Sequence, residues 1–209
     1  MTQPLTQQGS NDQLNIPIFP LPVFLLPNGI TRLRIFEPRY LKMVSIASQA
    51  HGFALLYQTK EQPAPKWASW VEIINFDQQE GLLIIDIKCK SLVAVGDLTP
   101  DEDQLNFANI EPIAHWPHAE NDTLTEKLSL SLQGAFNEHQ SLQTLYQDDP
   151  HFQQVFNQQV HHFDANWVVA RWLEILPLEP KVKNIFTKRD SYDQAKTFLL
   201  SIIVKENNT

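Results

Sequence analysis

The first candidates for chemistry are Glu37 and Arg39, a carboxylate and a guanidinium on either side of Pro38. Such a pair binds a substrate or transfers a proton productively when a nucleophile or a general base lies beside it. The sequence places neither near these two residues. We therefore interpret Glu37 and Arg39 as a helix-start charge and a structural ion pair, in preference to a catalytic pair.

Cys89, the single cysteine, is the second candidate. It lies in an alternating apolar pattern beside Ile87, between Lys88 and Lys90. If the thiol faced outward, the two lysines would lower its pKa and make it reactive. The alternative, which we favour, is a buried cysteine that packs as a small apolar side chain. One cysteine also excludes an intrachain disulfide.

The seven histidines are candidates for metal ligands, above all the pair His115 and His118 and the adjacent His161 and His162. A zinc site needs ligands that converge in space, and the only cysteine is far from these histidines in sequence. We interpret them as histidines of solvated loops or helix surfaces, and we expect neither a metal nor a cofactor.

Motifs of energy-dependent and hydrolytic enzymes are absent from the sequence. A phosphate-binding loop needs two glycines roughly five residues apart and a lysine. The six glycines stand instead at positions 9, 29, 52, 81, 96 and 134. The sequence also lacks G-x-S-x-G, H-E-x-x-H and C-x-x-C. We therefore expect that the protein is not an enzyme and has neither ATPase nor protease activity.

Four large apolar residues are candidates for a peptide-binding surface. Trp67 and Trp70 follow a proline-rich loop, and Phe24 and Leu26 lie in an apolar run that prolines interrupt. An exposed apolar patch of this kind marks a binding site for extended polypeptide. The alternative is that these side chains fill the core, and the sequence leaves both interpretations open.

The elements that must position these residues begin in the segment 16–44. Its prolines predict an edge strand, because a proline donates no hydrogen bond to a neighbouring strand. Asn28-Gly29 predicts a tight turn with positive φ. Residues 31–35 alternate between apolar and arginine positions, which is typical of a half-buried strand. Pro38 then fits the first position of a helix over residues 37–50.

Beyond this segment, the sequence predicts an α+β protein. Residues 16–113 contain six or seven predicted strands and one helix, at the spacing of a small barrel. After residues 115–121 the apolar period changes to that of helices. Thr123 with Glu126 predicts a capping box, Asp149-Pro150 a further helix start, and Asp164 the cap of a helix over residues 165–176. We predict a disordered lead-in at 1–14, a barrel subdomain at 15–116 and a helical subdomain at 121–206.

Composition limits the classes of partner and compartment. The net charge of −8 argues against nucleic-acid binding, because phosphate recognition needs clustered cations. No apolar run approaches the roughly 20 residues that cross a membrane. The N-terminus lacks the basic and apolar regions of a signal peptide. We therefore expect a cytoplasmic protein with no membrane partner.

The segment 16–44 resembles the start of the Lon protease N-terminal, substrate-binding domain family. The resemblance rests on the apolar-proline strand, the turn at 27–29, the second strand, and the helix start Phe36-Glu37-Pro38-Arg39-Tyr40. More weakly, residues 52–57, 71–73 and 173–178 resemble later parts of that family, so the likeness spans nearly the whole chain. We expect the five signature residues to be architectural and to tie the first helix to the barrel.

The resemblance implies a PUA-like β-barrel with one helix, followed by a C-terminal helical bundle. It also implies a stand-alone domain that binds unfolded or extended polypeptide, or a protease or chaperone partner, without catalysing a reaction. A different function, RNA binding, is the alternative, because PUA-like barrels elsewhere bind RNA. The negative charge of the chain disfavours that alternative.

Overall fold

The computed structural model describes residues 14–59, 65–138 and 164–206. Over these residues the chain is a mixed α+β structure with a seven-stranded sheet and five helices. The strands are β1 (Leu14–Leu21), β2 (Ile30–Ile35), β3 (Phe53–Tyr57), β4 (Trp67–Gln79), β5 (Leu82–Val95), β6 (Thr99–Pro100) and β7 (Asn106–Ile113). The helices are α1 (Pro38–Gln49), α2 (Thr123–Glu138), α3 (Ala165–Ile175), α4 (Pro180–Ile185) and α5 (Tyr192–Glu206).

The sheet has the order β2-β5-β4-β3-β1-β7-β6, and an additional pairing of β5 with β7 makes it ring-like. The long strand β5 makes this closure possible. Its first part pairs with β2, up to Lys88, and its last part, Leu92–Val95, pairs with β7. One strand thus belongs both to the ring and to a three-stranded arm formed by β2, β5 and β4.

The prediction that the proline-rich strand lies at a sheet edge is wrong for β1 as a whole, because β1 lies between β3 and β7. The two ladders overlap only at Ile18. Residues 14–18 pair with β7, whereas residues 18–21 pair with β3. Pro17 and Pro20 therefore each lie where β1 has one strand neighbour among the described residues. A proline is tolerated in such a position because one side of the strand needs no donor.

Two apolar clusters bury the two faces of the sheet. The smaller cluster consists of strand residues, Ile16, Ile18, Ala54, Leu56, Ala68, Val93, Ala108 and Ile110. The sheet therefore covers this face by curling on itself. The larger cluster joins the opposite strand face to the helices, with Phe53 and Leu55 from β3 in the same core as Val168 and Leu173 from α3. The predicted division into two subdomains stays a prediction, because this core runs through both parts.

Helix starts agree with the sequence in one case and differ in another. The Asp164 side chain accepts a hydrogen bond from Trp167 N at 2.9 Å, so it caps α3 as predicted. The predicted capping box of Thr123 with Glu126 is wrong, because Asp122 is the residue that caps α2. Its side chain accepts hydrogen bonds from the N–H groups of residues 124 and 125 at 3.1 and 2.8 Å. Asp122 also pairs with Lys196 on α5. A carboxylate one residue earlier satisfies the free N–H groups of the helix better than a threonine does.

Helix α3 is buried along most of its length and packs against both α2 and α5. The Trp172 indole on α3 donates to Leu128 O on α2 at 2.9 Å. The predicted helical bundle stays a prediction, because the segment around Asp149, Pro150 and residues 152–160 lies outside the described residues. Within the described part of the chain, no helix is both long and apolar enough to cross a membrane.

Candidate functional site

A groove of about 1060 Å³ lies between β1, β2 and the start of α1. Its lining comes from the end of β1 and the residues after it, from β2, from the start of α1 and from the two residues after β3: Phe19, Pro20, Leu21, Pro22, Val23, Arg32, Leu33, Arg34, Ile35, Phe36, Glu37, Arg39, Tyr40, Gln58 and Thr59. A site that holds a drug-sized ligand has a volume of roughly 300–1,000 Å³. This groove is therefore large enough for a short stretch of polypeptide.

Two strand edges border the groove. Four consecutive residues of β2, residues 32–35, line it, as do residues 19–21 of β1. Successive side chains of a strand point to opposite faces, so a run of consecutive lining residues means that the edge of the strand faces the groove. Among the described strands, β2 pairs with β5 only and residues 19–21 pair with β3 only. Within residues 14–59, 65–138 and 164–206, each side of the groove is thus bordered by a strand segment with one strand neighbour.

Aromatic side chains form the floor and the rim. Phe19 and Tyr40 are buried, and their rings lie 4.1 Å apart between centroids. Burial raises the pKa of Tyr40 further above its ordinary value. Phe36 is 68% exposed at the rim. A phenylalanine rarely gains by facing water, so this ring is available to an apolar partner.

The five signature residues surround this groove. Glu37 and Arg39 form the predicted ion pair, with Arg39 Nη2 at 2.8 Å from Glu37 Oε2. Pro38 is the first residue of α1, and the Arg39 guanidinium lies 4.7 Å from the centroid of the Tyr40 ring. Four of the five residues, all but Pro38, line the groove. The purely architectural role that we predict for them therefore stays a prediction, and the groove adds a second possible role.

The charges at the groove are mainly cationic. Three of the five arginines in the chain, Arg32, Arg34 and Arg39, line it beside one carboxylate, Glu37. Arg32 makes a two-pronged contact with the buried Asp86 of β5, at 2.8 and 3.1 Å. Arg34 is exposed and has no ion-pair partner among residues 14–59, 65–138 and 164–206. One guanidinium thus remains available in a chain of net charge −8.

A buried ion pair holds the turn that precedes β2. Glu174 on α3 accepts a hydrogen bond from Leu26 N at 2.6 Å and pairs with Arg171 at 2.7 Å. Arg171 Nη2 also donates to Leu26 O and Pro27 O, at 3.3 and 3.2 Å. Burial raises the pKa of Glu174, and the Arg171 guanidinium opposes that rise. We call Arg171, Glu174 and the turn residues 26–29 the clamp.

The clamp explains why residue 29 is a glycine, and the explanation differs from the one that the sequence suggests. The sequence predicts positive φ for Asn28-Gly29, and the structure shows it at Asn28, with φ of 64°. A Cβ on Gly29 would lie 2.6 Å from Glu174 Oε1 and 2.9 Å from Arg171 Nη2. Gly29 therefore provides space for the ion pair, whereas Asn28 provides the left-handed conformation that the turn needs.

The structure does not bring the four predicted peptide-binding residues together on an exposed patch. Phe24, Leu26 and Trp67 are buried in the core, and Trp67 Nε1 donates to Asn184 at 3.1 Å. Trp70 is half-buried, donates to His51 O at 2.6 Å and lies under the Lys90 ammonium. Three of the four side chains therefore lie in the core, as the alternative interpretation of the sequence has it. A peptide-binding role for them stays a prediction, and these residues do not line the groove.

Cys89 and His115 lie in the interior, which for His115 contradicts the predicted solvated loop, whereas His118 is exposed as that prediction has it. Cys89 is fully buried, and burial raises the pKa of its thiol to about 12, which agrees with the buried interpretation. His115 is largely buried, and its Nε2 lies 3.1 Å from Phe186 O. Within the described residues, no group of three or more histidine, cysteine, aspartate and glutamate side chains could hold a metal ion. His161 and His162 lie outside those residues.

Residues 31–36 contain one sequence signal for the groove. Alternation over residues 31–35 puts Arg32 and Arg34 on the face opposite Leu33 and Ile35. The same period puts Phe36 on the arginine face. Phe36 thus shares the arginine face of the strand, so its apolar ring lies on the face opposite the core residues Leu33 and Ile35.

The ring-like sheet with its edge groove and the helices behind it define a class, the fold of Lon N-terminal domains. The chain is similar to the crystal structure of a Lon N-terminal domain protein from Xanthomonas campestris, with a TM-score of 0.64 and 20% identity over 91% of this chain and 99% of that one. It is also similar to the N-terminal domain of Mycobacterium avium complex Lon protease, with a TM-score of 0.58 and 11% identity over 90% and 97% of the two chains.

No protein-family model and no curated protein sequence matches the chain. At these identities the likeness establishes the fold. It confirms at the level of the fold the resemblance that the segment 16–44 indicates, and it extends that resemblance over most of the chain.

Proposed function

We propose that the chain is a non-catalytic domain that binds unfolded or extended polypeptide in the groove between β1 and β2. The observation that carries the proposal is a large groove with the exposed Phe36 at its rim, bordered by two strand segments that each have one strand neighbour among the described strands. Open strand edges bind polypeptide backbone by adding a strand, and neighbouring apolar surface binds its side chains. We also interpret the ring-like sheet as the PUA-like barrel of this fold.

Two further considerations support the proposal. The chain has the fold of Lon N-terminal domains, for which the family resemblance implies the selection of polypeptide substrates. The sequence also lacks the motifs of a nucleotide-binding loop and of the common hydrolases. A domain of this kind delivers a polypeptide, or docks on a protease or chaperone, and leaves the chemistry to a partner.

The test compares two exposed phenylalanines. Phe36 is 68% exposed at the rim of the groove, and Phe76 is 50% exposed on β4, where it does not line the groove. We expect Phe36→Ala to weaken binding of a permanently unfolded model protein by about tenfold, because truncation of an aromatic contact residue costs about 1–2 kcal/mol. Phe76→Ala, the matched control, is expected to leave the affinity unchanged. Fluorescence anisotropy or calorimetry measures both.

Equal affinities for the wild type and both variants would remove the groove from the proposal. The same titration with a single-stranded RNA oligonucleotide examines the alternative function. Salt-sensitive, sub-micromolar RNA binding that Phe36→Ala weakens would replace polypeptide by RNA as the ligand.

A further inference from the structure

Arg34 and Phe36 present a cation and an apolar ring next to each other at the groove. Both side chains are exposed, and both line the groove. Arg34 lies near the end of β2 and Phe36 directly follows the strand, on the face opposite Leu33 and Ile35. Residues two apart in extended chain share a face at a spacing of about 7 Å. The rim of the groove therefore offers one charged and one apolar contact at a defined distance.

The other two arginines of the groove have carboxylate partners. Arg32 contacts Asp86 at 2.8 Å, and Arg39 contacts Glu37 at 2.8 Å. Arg34 has no such partner within the part of the chain that the structure describes. The two carboxylates thus offset two of the three positive charges of the groove, and the charge of Arg34 is left for a ligand.

The acidic residue across the sheet is too far away to neutralise Arg34. Arg34 and Asp77 both pair with Ile84 of β5, so they share a face and lie two strand spacings, about 10 Å, apart. The oxygens of Asp77 also accept hydrogen bonds from Gln78 N and Gln79 Nε2, at 2.7 and 2.9 Å. Because the Debye length at physiological ionic strength is about 8 Å, such a carboxylate acts only weakly on a ligand at Arg34.

We infer that the rim of the groove selects extended polypeptide segments in which a glutamate or aspartate lies two residues from a large apolar residue. This inference rests on the proposed function and names the class of segment that the groove prefers. The carboxylate pairs with the Arg34 guanidinium, and the apolar side chain packs against the Phe36 ring. An extended segment presents alternate side chains about 7 Å apart, which matches the spacing of these two residues. Side chains make both contacts, so the selection needs no pairing with the backbone of β2.

Charge complementarity favours this occupant. A lysine in place of the acidic residue would face Arg34, and such repulsion excludes partners as effectively as attraction selects them. Single-stranded nucleic acid also combines negative charge with flat apolar groups. It carries a charge at every nucleotide, however, and Arg34 offsets only one phosphate in a chain of net charge −8. A polypeptide segment with a single carboxylate fits the rim better.

The experiment uses fluorescent peptides that carry one motif in a flexible glycine-serine sequence. The motif Glu-Ser-Phe is compared with Gln-Ser-Phe, with Lys-Ser-Phe and with Glu-Phe-Ser, which has the same composition but a different spacing. With the wild-type chain we expect glutamine to weaken binding about threefold and lysine about tenfold. The changed spacing should weaken it about fivefold, because the two side chains no longer reach their partners together. Fluorescence anisotropy measures all four peptides.

A double-mutant cycle assigns the carboxylate contact to Arg34. Arg34→Gln removes the charge and keeps part of the stem, which in an arginine also covers apolar surface. In this variant the Glu-Ser-Phe and Gln-Ser-Phe peptides are expected to bind equally. Arg189→Gln, at an exposed arginine that does not line the groove, is the matched control and should keep the wild-type preference. Because each variant is scored by the ratio between two peptides, a general loss of affinity does not imitate the result.

The following outcomes would overturn the inference. Equal binding of the glutamate, glutamine and lysine peptides refutes the carboxylate contact, and equal binding of Glu-Ser-Phe and Glu-Phe-Ser refutes the spacing. An unchanged preference in Arg34→Gln refutes the assignment to Arg34. A single-stranded RNA oligonucleotide that binds more tightly than the Glu-Ser-Phe peptide refutes the choice of occupant.

The proposed function and the inference can fail separately. If no peptide binds while the unfolded model protein still binds in a Phe36-dependent manner, the inference is refuted and the proposed function stands. If the Phe36 dependence is absent as well, both fail.

Discussion

The three-stranded arm has two edges, each with one strand neighbour among the described strands, and these edges differ in register, charge and surroundings. Beyond Glu72, β4 pairs with β5 alone among the described strands, so its residues 73–79 form one edge; β2 forms the other. The β2–β5 ladder keeps one register over its whole length. The β4–β5 ladder shifts register between Trp70 and Val71 and again between Ile73 and Asn75. Bulges twist an edge and are a common protection against unwanted pairing.

Charge and surroundings reinforce this difference. The end of β4 carries Asp77 and is followed by Glu80, whereas β2 carries Arg32 and Arg34. The β2 edge borders the large groove, and residues 73–79 line none of it. The comparison teaches that the chain protects one edge and leaves the other regular, cationic and beside apolar surface. A chain that merely tolerated open edges would have no reason to treat them so differently.

The clamp behind β2 should carry the largest energetic effect. Arg171→Met removes the cation that faces the largely buried Glu174, and we expect the free energy of unfolding to fall by about 4 kcal/mol. Denaturant unfolding measures this loss. Hydrogen exchange should show that amides of β2 lose protection before those of residues 73–79, because Arg171 holds the turn at Leu26 and Pro27.

A surface pair provides the control for the clamp. Lys181 and Glu179 lie 3.0 Å apart, but both side chains are about two thirds exposed. We expect Lys181→Met to change stability by well under about 1 kcal/mol. If both variants cost the same, the clamp is no more than another surface ion pair, and the β2 edge has no special support.

The second largest expected effect is a loss of stability in acid, caused by His115 near the turn that precedes β2. Burial lowers the pKa of His115 from 6.5 to about 4, so the folded state holds a neutral imidazole there. The unfolded chain gains a proton below about pH 6.5, whereas the folded chain resists until about pH 4. Stability is thus complete above pH 6.5 and falls by about 3 kcal/mol as the pH drops to 4.

The measurement is urea unfolding between pH 7 and pH 4 for the wild type and His115→Leu. The variant should lose much less stability over this range than the wild type does. His115 borders a small cavity together with Pro27 and Asn28, so we expect acid to loosen the turn before β2 ahead of the β4–β5 hairpin. An identical pH dependence in the two proteins would exclude His115 as the responsible group.

Gly29→Ala should have a smaller but still clear effect. The new Cβ would lie under 3 Å from Glu174 Oε1, Leu25 Cδ1 and Arg171 Nη2, and such overpacking costs about 2 kcal/mol. Cys89 reports on the change, because its N–H donates to Gly29 O and its thiol is buried. We expect slow thiol labelling in the wild type and faster labelling in the variant. Unchanged labelling would mean that the turn absorbs the methyl group without moving.

The sequence predicts most of the elements because their signals are local. The alternation over β5 and β7 gives their bounds as the structure has them, and Pro38 and Asp164 mark the starts of α1 and α3. The sequence does not predict that β1 lies between two strands. Each half of β1 pairs with a different strand and on one side only, so its prolines have the same surroundings as in an edge strand. That arrangement depends on which strands meet, and no local pattern records it.

The site is harder to predict for the same reason. Large apolar side chains such as Phe24 and Trp67 fit a binding patch as well as a core. The structure decides between the two because it shows that both side chains are buried. The groove exists because β2 ends the sheet while β1 loses a neighbour after Ile18. Composition does not indicate that three arginines of an acidic chain gather there. Only the period of residues 31–36 contains part of that information.

The smallest expected effect belongs to the other edge. Glu80 and Gly81 form the turn between β4 and β5 with φ of 52° and 82°, and no described atom lies within 4 Å of a Cβ built on Gly81. Gly81→Ala therefore meets only the backbone strain of positive φ and should cost about 1 kcal/mol. Thiol labelling of Cys89 and affinity for the unfolded model protein should stay at wild-type values, because Gly81 contacts neither the clamp nor the groove. If Gly81→Ala accelerated the labelling of Cys89 as we expect of Gly29→Ala, the hairpin and β2 would behave as one unit, and the distinction between the two edges would fail.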